Sequence, residues 1–252
     1  MGKARLGPGR LALAMAALFL ASWARADGLL YQLPEDGSWV RFHVTMTMEH
    51  GGGPEGEAGK MTGALTMRSV GQETVEGDKC RWIEVELVPD KPADDQQATP
   101  HGPPHVIMKV LLPEKDLQKG KEPLQHLVKG WMKEGDEEPR ELKDPNSEHT
   151  GPLPALLSGP LKDVKELDKT TIDTKLGKLE CDGITANNAY KQGEAVTTVQ
   201  FETRLHDKAP FGVVNSKMQY DSKHGDHEEK GTLSLEFDDS GHDAKSNLPD
   251  NR

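Results

Sequence analysis

The stretch Val40-Arg41-Phe42-His43-Val44-Thr45-Met46-Thr47-Met48 is apolar and polar by turns. Side chains on a β-strand point to opposite faces with a period of two, so Val40, Phe42, Val44, Met46 and Met48 share one face. Arg41, His43, Thr45 and Thr47 share the other. A helix would scatter both sets around its circumference. The stretch therefore predicts a half-buried strand, of the kind found in antiparallel sheets with one face toward water.

The same period recurs on both sides. After a glycine-rich loop at 51–59, Met61, Gly63, Leu65 and Met67 alternate with Thr62, Thr66 and Arg68. A turn within 71–78 leads to a strand with Ile83, Val85 and Leu87 opposed to Trp82, Glu84 and Glu86, and an exposed loop at 89–104 precedes the strand 106–112. Strands return from about residue 170: a turn at 175–177, then 179–185, then Thr197 to Leu205, Val214 to Tyr220, and Leu233 to Phe237.

Between 113 and 131 the period changes. Leu117, Leu124, Leu127, Val128 and Trp131 suit helical spacing, with Pro113 and Pro123 at first-turn positions. One or two short helices are predicted there, another at 153–157, and a polar connection at 135–151. The expected fold is mainly β with a short helical insertion (α+β): a curved antiparallel sheet or half-barrel with helices on its concave apolar face. One domain spans 27–238, the insertion covers about 113–165, and 239–252 reads as a disordered tail.

The N-terminus reads as a secretory signal peptide over residues 1–26. Lys3, Arg5 and Arg10 form a positive region, Leu11 to Ala21 is unbroken apolar, and Ala24-Arg25-Ala26 supplies small residues for cleavage. The apolar run is about half the roughly 20 residues needed to span a bilayer. No stable membrane insertion is expected after cleavage, and the location is periplasmic or secreted. Lys3, Arg5, Arg10 and Arg25 leave with the peptide, so 27 basic and 42 acidic residues remain, a formal net charge of −15 against −11 for the whole chain. That balance repels nucleic acid and anionic lipid head groups.

Cys80 and Cys181 are the two cysteines. In an oxidising compartment an even pair reads as a disulfide; the competing reading is two buried thiols on separate strands. Residues with metal-ligand chemistry are His101 and His105 around Gly-Pro-Pro, and His224 and His227 in an acidic stretch, but loop spacing without an HExxH helix makes them weak candidates. Ser158, in Leu-Leu-Ser-Gly-Pro, lacks the first glycine of a nucleophile elbow. Glu84 and Glu86 share a strand face as a glycosidase pair could, yet alternation places them on the solvated side. No phosphate-cradling glycine pattern precedes a helix, and no cofactor is implied.

The inner faces are rich in methionine. Met46, Met48, Met61, Met67, Met108 and Met218, with Phe42, Leu65 and Phe201, form a candidate lining for a hydrophobic small molecule or lipid, because methionine adapts to irregular apolar partners. The plainer alternative is a core that uses methionine as filler.

The strand Trp39 to Met48, the strand Met61 to Val70, Cys80-Arg81-Trp82-Ile83-Glu84 and the segment Ala209-Pro210-Phe211-Gly212-Val213-Val214 occur in an order that resembles the periplasmic lipoprotein-carrier (LolA-like) half-barrels, and also exported bacterial proteins of similar length. The resemblance covers about residues 29–238. It implies a sheet plugged by helices and a non-enzymatic protein that shields an apolar cargo. Two other functions remain open on the residues: an envelope structural or interaction module that pairs through an edge strand without ligand, and an exported metal-binding protein using His224 and His227. An enzyme ranks last.

Overall fold

The computed structural model describes residues 28–51, 59–90, 105–117, 121, 123–143, 157, 161–192, 195–225 and 227–248. The signal peptide, His101 and Ser158 lie outside them. The described residues form one eleven-stranded antiparallel sheet, built from β1 (Trp39–Gly51), β2 (Gly59–Val75), β3 (Asp78–Pro89), β4 (Val106–Pro113), β5 (Lys129–Glu134), β6 (Arg140–Glu141), β7 (Lys162–Thr174), β8 (Gly177–Gln192), β9 (Ala195–Leu205), β10 (Val213–His224) and β11 (His227–Gly241).

The strand order is β6-β5-β4-β3-β2-β1-β11-β10-β9-β8-β7. Within β1–β6 and within β7–β11 every strand lies beside its sequence neighbours, as hairpin connections require. The pairing of β1 with β11 joins the two runs, leaving β6 and β7 as open edges. At the β2–β3 hairpin Glu76 and Gly77 both have positive φ, 52° and 88°, the backbone of a tight turn whose twist matches the strands.

The antiparallel sheet matches expectation, but the helices do not. Among the described residues, the region expected to be a helical insertion holds the 3-10 turns Glu114–Asp116 and Pro123–His126, then β5 and β6, and a helical Leu157 before β7 starts at Lys162; the rest of the helix expected at 153–157 lies outside the described residues. Helices on a concave apolar face are not seen among the described residues, so the α+β assignment is corrected to a nearly all-β open sheet. The physical reason lies in β4. All eight of its residues are buried, and its outer backbone groups need partners. Lys129–Glu134 supplies them by pairing with Val106–Leu111, which takes Trp131 into a strand and leaves Leu124 in the 3-10 turn before it.

One apolar face carries the main core. Val40, Phe42, Val44, Leu65, Met67, Ile83, Val85, Met108, Phe201, Met218 and Leu235 belong to a single cluster, joined by Leu29, Leu30, Leu117, Leu124, Leu142 and Leu157 from outside the long strands. A smaller cluster of Leu179, Cys181, Ala209 and Val214 packs with Ile172 and Phe237. There the β7–β8 hairpin reaches β11, and Lys175 bridges Asp238 and Asp239 at 3.2 and 3.1 Å. A bulge between Arg41 and Phe42 leaves Asp238 outside the β1–β11 register, and its carboxylate meets Arg41 Nε at 2.6 Å.

The C-terminal end also differs from expectation. β11 runs to Gly241, and residues 242–248 fold back instead of trailing as a disordered tail. His242 Nδ1 lies 3.2 Å from Ser38 Oγ, the Trp39 indole donates to Asp243 at 2.8 Å, and Ala244 N donates to Gly37 O at 2.9 Å.

Candidate functional site

Two places gather chemistry, one on each face of the sheet. The first is the seam between the apolar face and the segment Leu29-Leu30-Tyr31-Gln32-Leu33. Leu29 and Leu30 are buried, and Tyr31 and Leu33 pack against the core. This strap is held by Leu30 N donating to Leu157 O at 3.2 Å and Gln32 N donating to Phe211 O at 3.0 Å. The Gln32 carboxamide adds bonds to the carbonyls of Asp207 and Ala209, at 3.1 and 3.0 Å.

The turn that receives the strap is shaped for close approach. Phe211 is fully buried with φ of 63°, a left-handed conformation unusual for a large side chain, and Gly212 follows at φ 80°. A Cβ on Gly212 would meet Tyr31 Cδ1 at 2.9 Å, so glycine is needed there. Under the strap lies a seam of about 10 Å³, bounded by Leu29, Tyr31, Leu161, Phe201, Leu205 and Met218. That holds no more than about one water, so the face is closed as it stands. Thr203 and Ser216 also line it and satisfy each other at 3.0 Å.

The residues read as a ligand lining fall in this core to different degrees. Phe42, Leu65, Met67, Met108, Phe201 and Met218 are buried in the cluster, and Met46 and Met61 are partly buried against it. Met48 is half-buried and stands outside it. Of the nine, Phe201 and Met218 border the seam. Sequence reasoning missed the strap, although Leu29, Leu30, Tyr31 and Leu33 form an apolar run directly after the expected cleavage site.

The second place is a recess on the opposite face of β3. Glu84, read as a solvated residue, is fully buried. Its carboxylate accepts from Arg68 Nη1 at 3.3 Å, Ser246 Oγ at 2.6 Å, and the backbone N–H groups of Asn247 at 3.0 Å and Leu248 at 3.3 Å. Glu86 accepts from Arg68 Nη2 at 2.7 Å and Asn247 Nδ2 at 2.8 Å, and pairs with His105 Nε2 at 2.9 Å. Burial would raise the Glu86 carboxyl, but the hydrogen bonds and charges of Arg68 and His105 outweigh it and hold the group below its usual range. Alternation identified the face correctly and could not reveal that the chain's own C-terminal segment covers it.

The expected Cys80–Cys181 bridge is corrected: both thiols are free and buried, on β3 and β8, which is the competing reading. Burial pushes both thiols up from their ordinary value, so they lack the thiolate character of a nucleophile. His224 and His227 face each other in register across the β10–β11 turn. Among the described residues no group of three or more His, Cys, Asp or Glu is arranged to hold a metal. No helix among them is long and apolar enough to cross a membrane.

Comparisons with known proteins add little to this geometry. No family model matches the chain, and no curated protein matches it. Solved structures with weak likeness include a DUF1329 family protein from Desulfovibrio piger, at 11% identity and TM-score 0.34, over 86% of this chain and 89% of that one. A protein named as exported, with a YmcC-like fold, from Bacteroides fragilis has 9% identity and TM-score 0.31, over 82% and 98%. A protein named as a lipoprotein from Parabacteroides distasonis has 10% identity and TM-score 0.30, over 81% and 97%. At these scores the matches assign neither fold nor function, and the lipoprotein-carrier resemblance is not confirmed.

Proposed function

We propose that this is an exported, non-enzymatic protein that takes an apolar chain, such as the acyl part of a lipid, between its sheet and the strap of residues 29–33. The observation that carries this reading is the cover itself, a short segment that no continuous hydrogen-bond ladder joins to the sheet among the described residues. Its fastenings include Leu30 N to Leu157 O, Gln32 N to Phe211 O and the Gln32 carboxamide, beside the burial of Leu29 and Leu30. Lifting it breaks these local contacts and leaves the strand ladder intact.

Lifting it would expose Phe201, Leu205 and Met218. Methionine there accommodates chains of varied shape. The signal-peptide pattern of residues 1–26 supports export, and the acidic mature chain fits a site that reads the apolar part of a ligand and leaves an anionic head group outside.

Native mass spectrometry of the mature protein, titrated with dodecanoic acid, tests the reading. Expected is a one-to-one adduct that forms more readily in Gln32→Ala, where the latch is cut. Absence of an adduct from both proteins, with the variant still folded by circular dichroism, sinks the proposal.

A further inference from the structure

On the face of the sheet opposite the strap, β7 to β10 form a groove of about 460 Å³, unrelated to the apolar seam. Its floor is a cross-strand row. Asn187 pairs in register with Gln200, and Gln200 with Gln219. The row continues through Thr232 to Thr47 on β11 and β1. Residues directly opposite in a sheet share a face, so three carboxamides and two threonines line up over four strand spacings, roughly 19 Å. Carboxamides both donate and accept.

Little of this hydrogen-bonding capacity is taken up by other side chains. Gln200 and Gln219 are exposed and have no side-chain partner among the described residues, while Asn187 reaches Asp163 only at 3.5 Å. Asp221 lines the same groove, with Lys230 Nζ 3.5 Å from its Oδ2. Asp163 sits at φ 52° beside a bulge in β7, which carries its carboxylate to the groove's rim.

The lining carries one cation, Lys162, and two carboxylates, Asp163 and Asp221, with Lys230 close to Asp221, so no cluster of like charge dominates it. What remains is a neutral array of donors and acceptors repeated at the strand spacing, comparable with the size of a sugar ring. We infer that this groove binds a neutral oligosaccharide: the carboxamides of Asn187, Gln200 and Gln219 take its hydroxyls in pairs.

The test uses the full mature chain labelled with nitrogen-15 and follows side-chain amide resonances. Probes are cellotetraose, maltotetraose and chitotetraose, with tetragalacturonate as an anionic comparison. Expected is a saturable shift of the Gln200 and Gln219 side-chain amides with at least one neutral sugar at millimolar concentration or below, unaffected by added salt. The double variant Gln200→Ala with Gln219→Ala weakens that binding by about tenfold or more, since each lost hydrogen bond is worth about 1 kcal/mol. Both residues are exposed, so the melting temperature stays put. The inference is overturned by unmoved amides with all three neutral sugars, by a response to tetragalacturonate alone, or by undiminished binding in the double variant.

Discussion

The carboxylate of Glu84 accepts the backbone N–H of Asn247 at 3.0 Å, joining the third strand to a segment 163 residues further along the chain. Ser246 Oγ and Leu248 N donate to the same carboxylate. The buried charge is thus solvated by the chain's own C-terminal segment in place of water. In Glu84→Gln one acceptor oxygen becomes a donor that faces other donors. The expected loss is about 2–3 kcal/mol, the scale of hydrogen bonds to a charged group. Urea unfolding checks the loss, and faster amide exchange at 247 and 248 locates it in the C-terminal segment.

Glu86 links this recess to acid stability. Its folded carboxyl lies below the ordinary 4.5, because the Arg68 and His105 interactions outweigh burial. A carboxyl depressed in the folded state contributes stability that is fully present above its unfolded value and is lost as pH falls through the folded one. The stability gap between wild type and Glu86→Gln should stay constant near neutrality and close below about pH 4.5. Chemical unfolding at a series of pH values reads this directly, and a gap that persists in acid contradicts it.

The free thiols predict a simple chemical pattern. Native protein resists iodoacetamide at both Cys80 and Cys181, since each is buried and its thiol held protonated. In urea without reductant both alkylate. Adding reductant leaves the melting temperature unchanged, because no bridge constrains the unfolded chain. Intact mass after alkylation counts the labels.

Gly63 tests the packing of the sheet itself. A Cβ there would meet Val88 O at 2.5 Å and Pro89 Cα at 3.0 Å, both backbone atoms of β3 that cannot rotate away. Gly63→Ala should cost about 1–3 kcal/mol, as overpacking does. Gly135, whose added Cβ meets nothing within 4 Å, offers no such clash, but its φ of 53° would still strain an alanine. Thermal unfolding of Gly63→Ala measures the first effect without that complication.

How far the sequence could be read depended on what each residue faces. Val40 to Met48 alternate because β1 has a core on one side and solvent on much of the other, so its pattern survives into the structure. β7 was read only from about residue 170. As an edge strand it is exposed along most of Lys162–Thr174, and with no buried face it carries no apolar period. Its charges and its two register shifts instead blunt an open edge. The helical spacing of Leu124, Leu127, Val128 and Trp131 carried the opposite error: Trp131 is recruited into β5 by β4, and Leu124 sits in the short 3-10 turn before it.

The candidate sites divide in the same way. Phe201 and Met218 were legible as core-face residues, but the strap above them was not, since Leu30 and Gln32 meet their partners Leu157 and Phe211 over more than a hundred residues. Glu84 and Glu86 were assigned the right face and the wrong environment.

From the sequence alone came the strands with one buried face, the faces of their side chains and the antiparallel pairing, because a period of two and short turns are local properties of the backbone; β5, β6 and the start of β7 did not. Tertiary structure alone decided what covers each face. It brought Ser246, Asn247 and Leu248 onto Glu84, kept Cys80 and Cys181 on separate strands, and placed Asn187, Gln200 and Gln219 in one row. Each of these depends on register between distant segments, which forms only when backbone groups and apolar faces compete for the same partners.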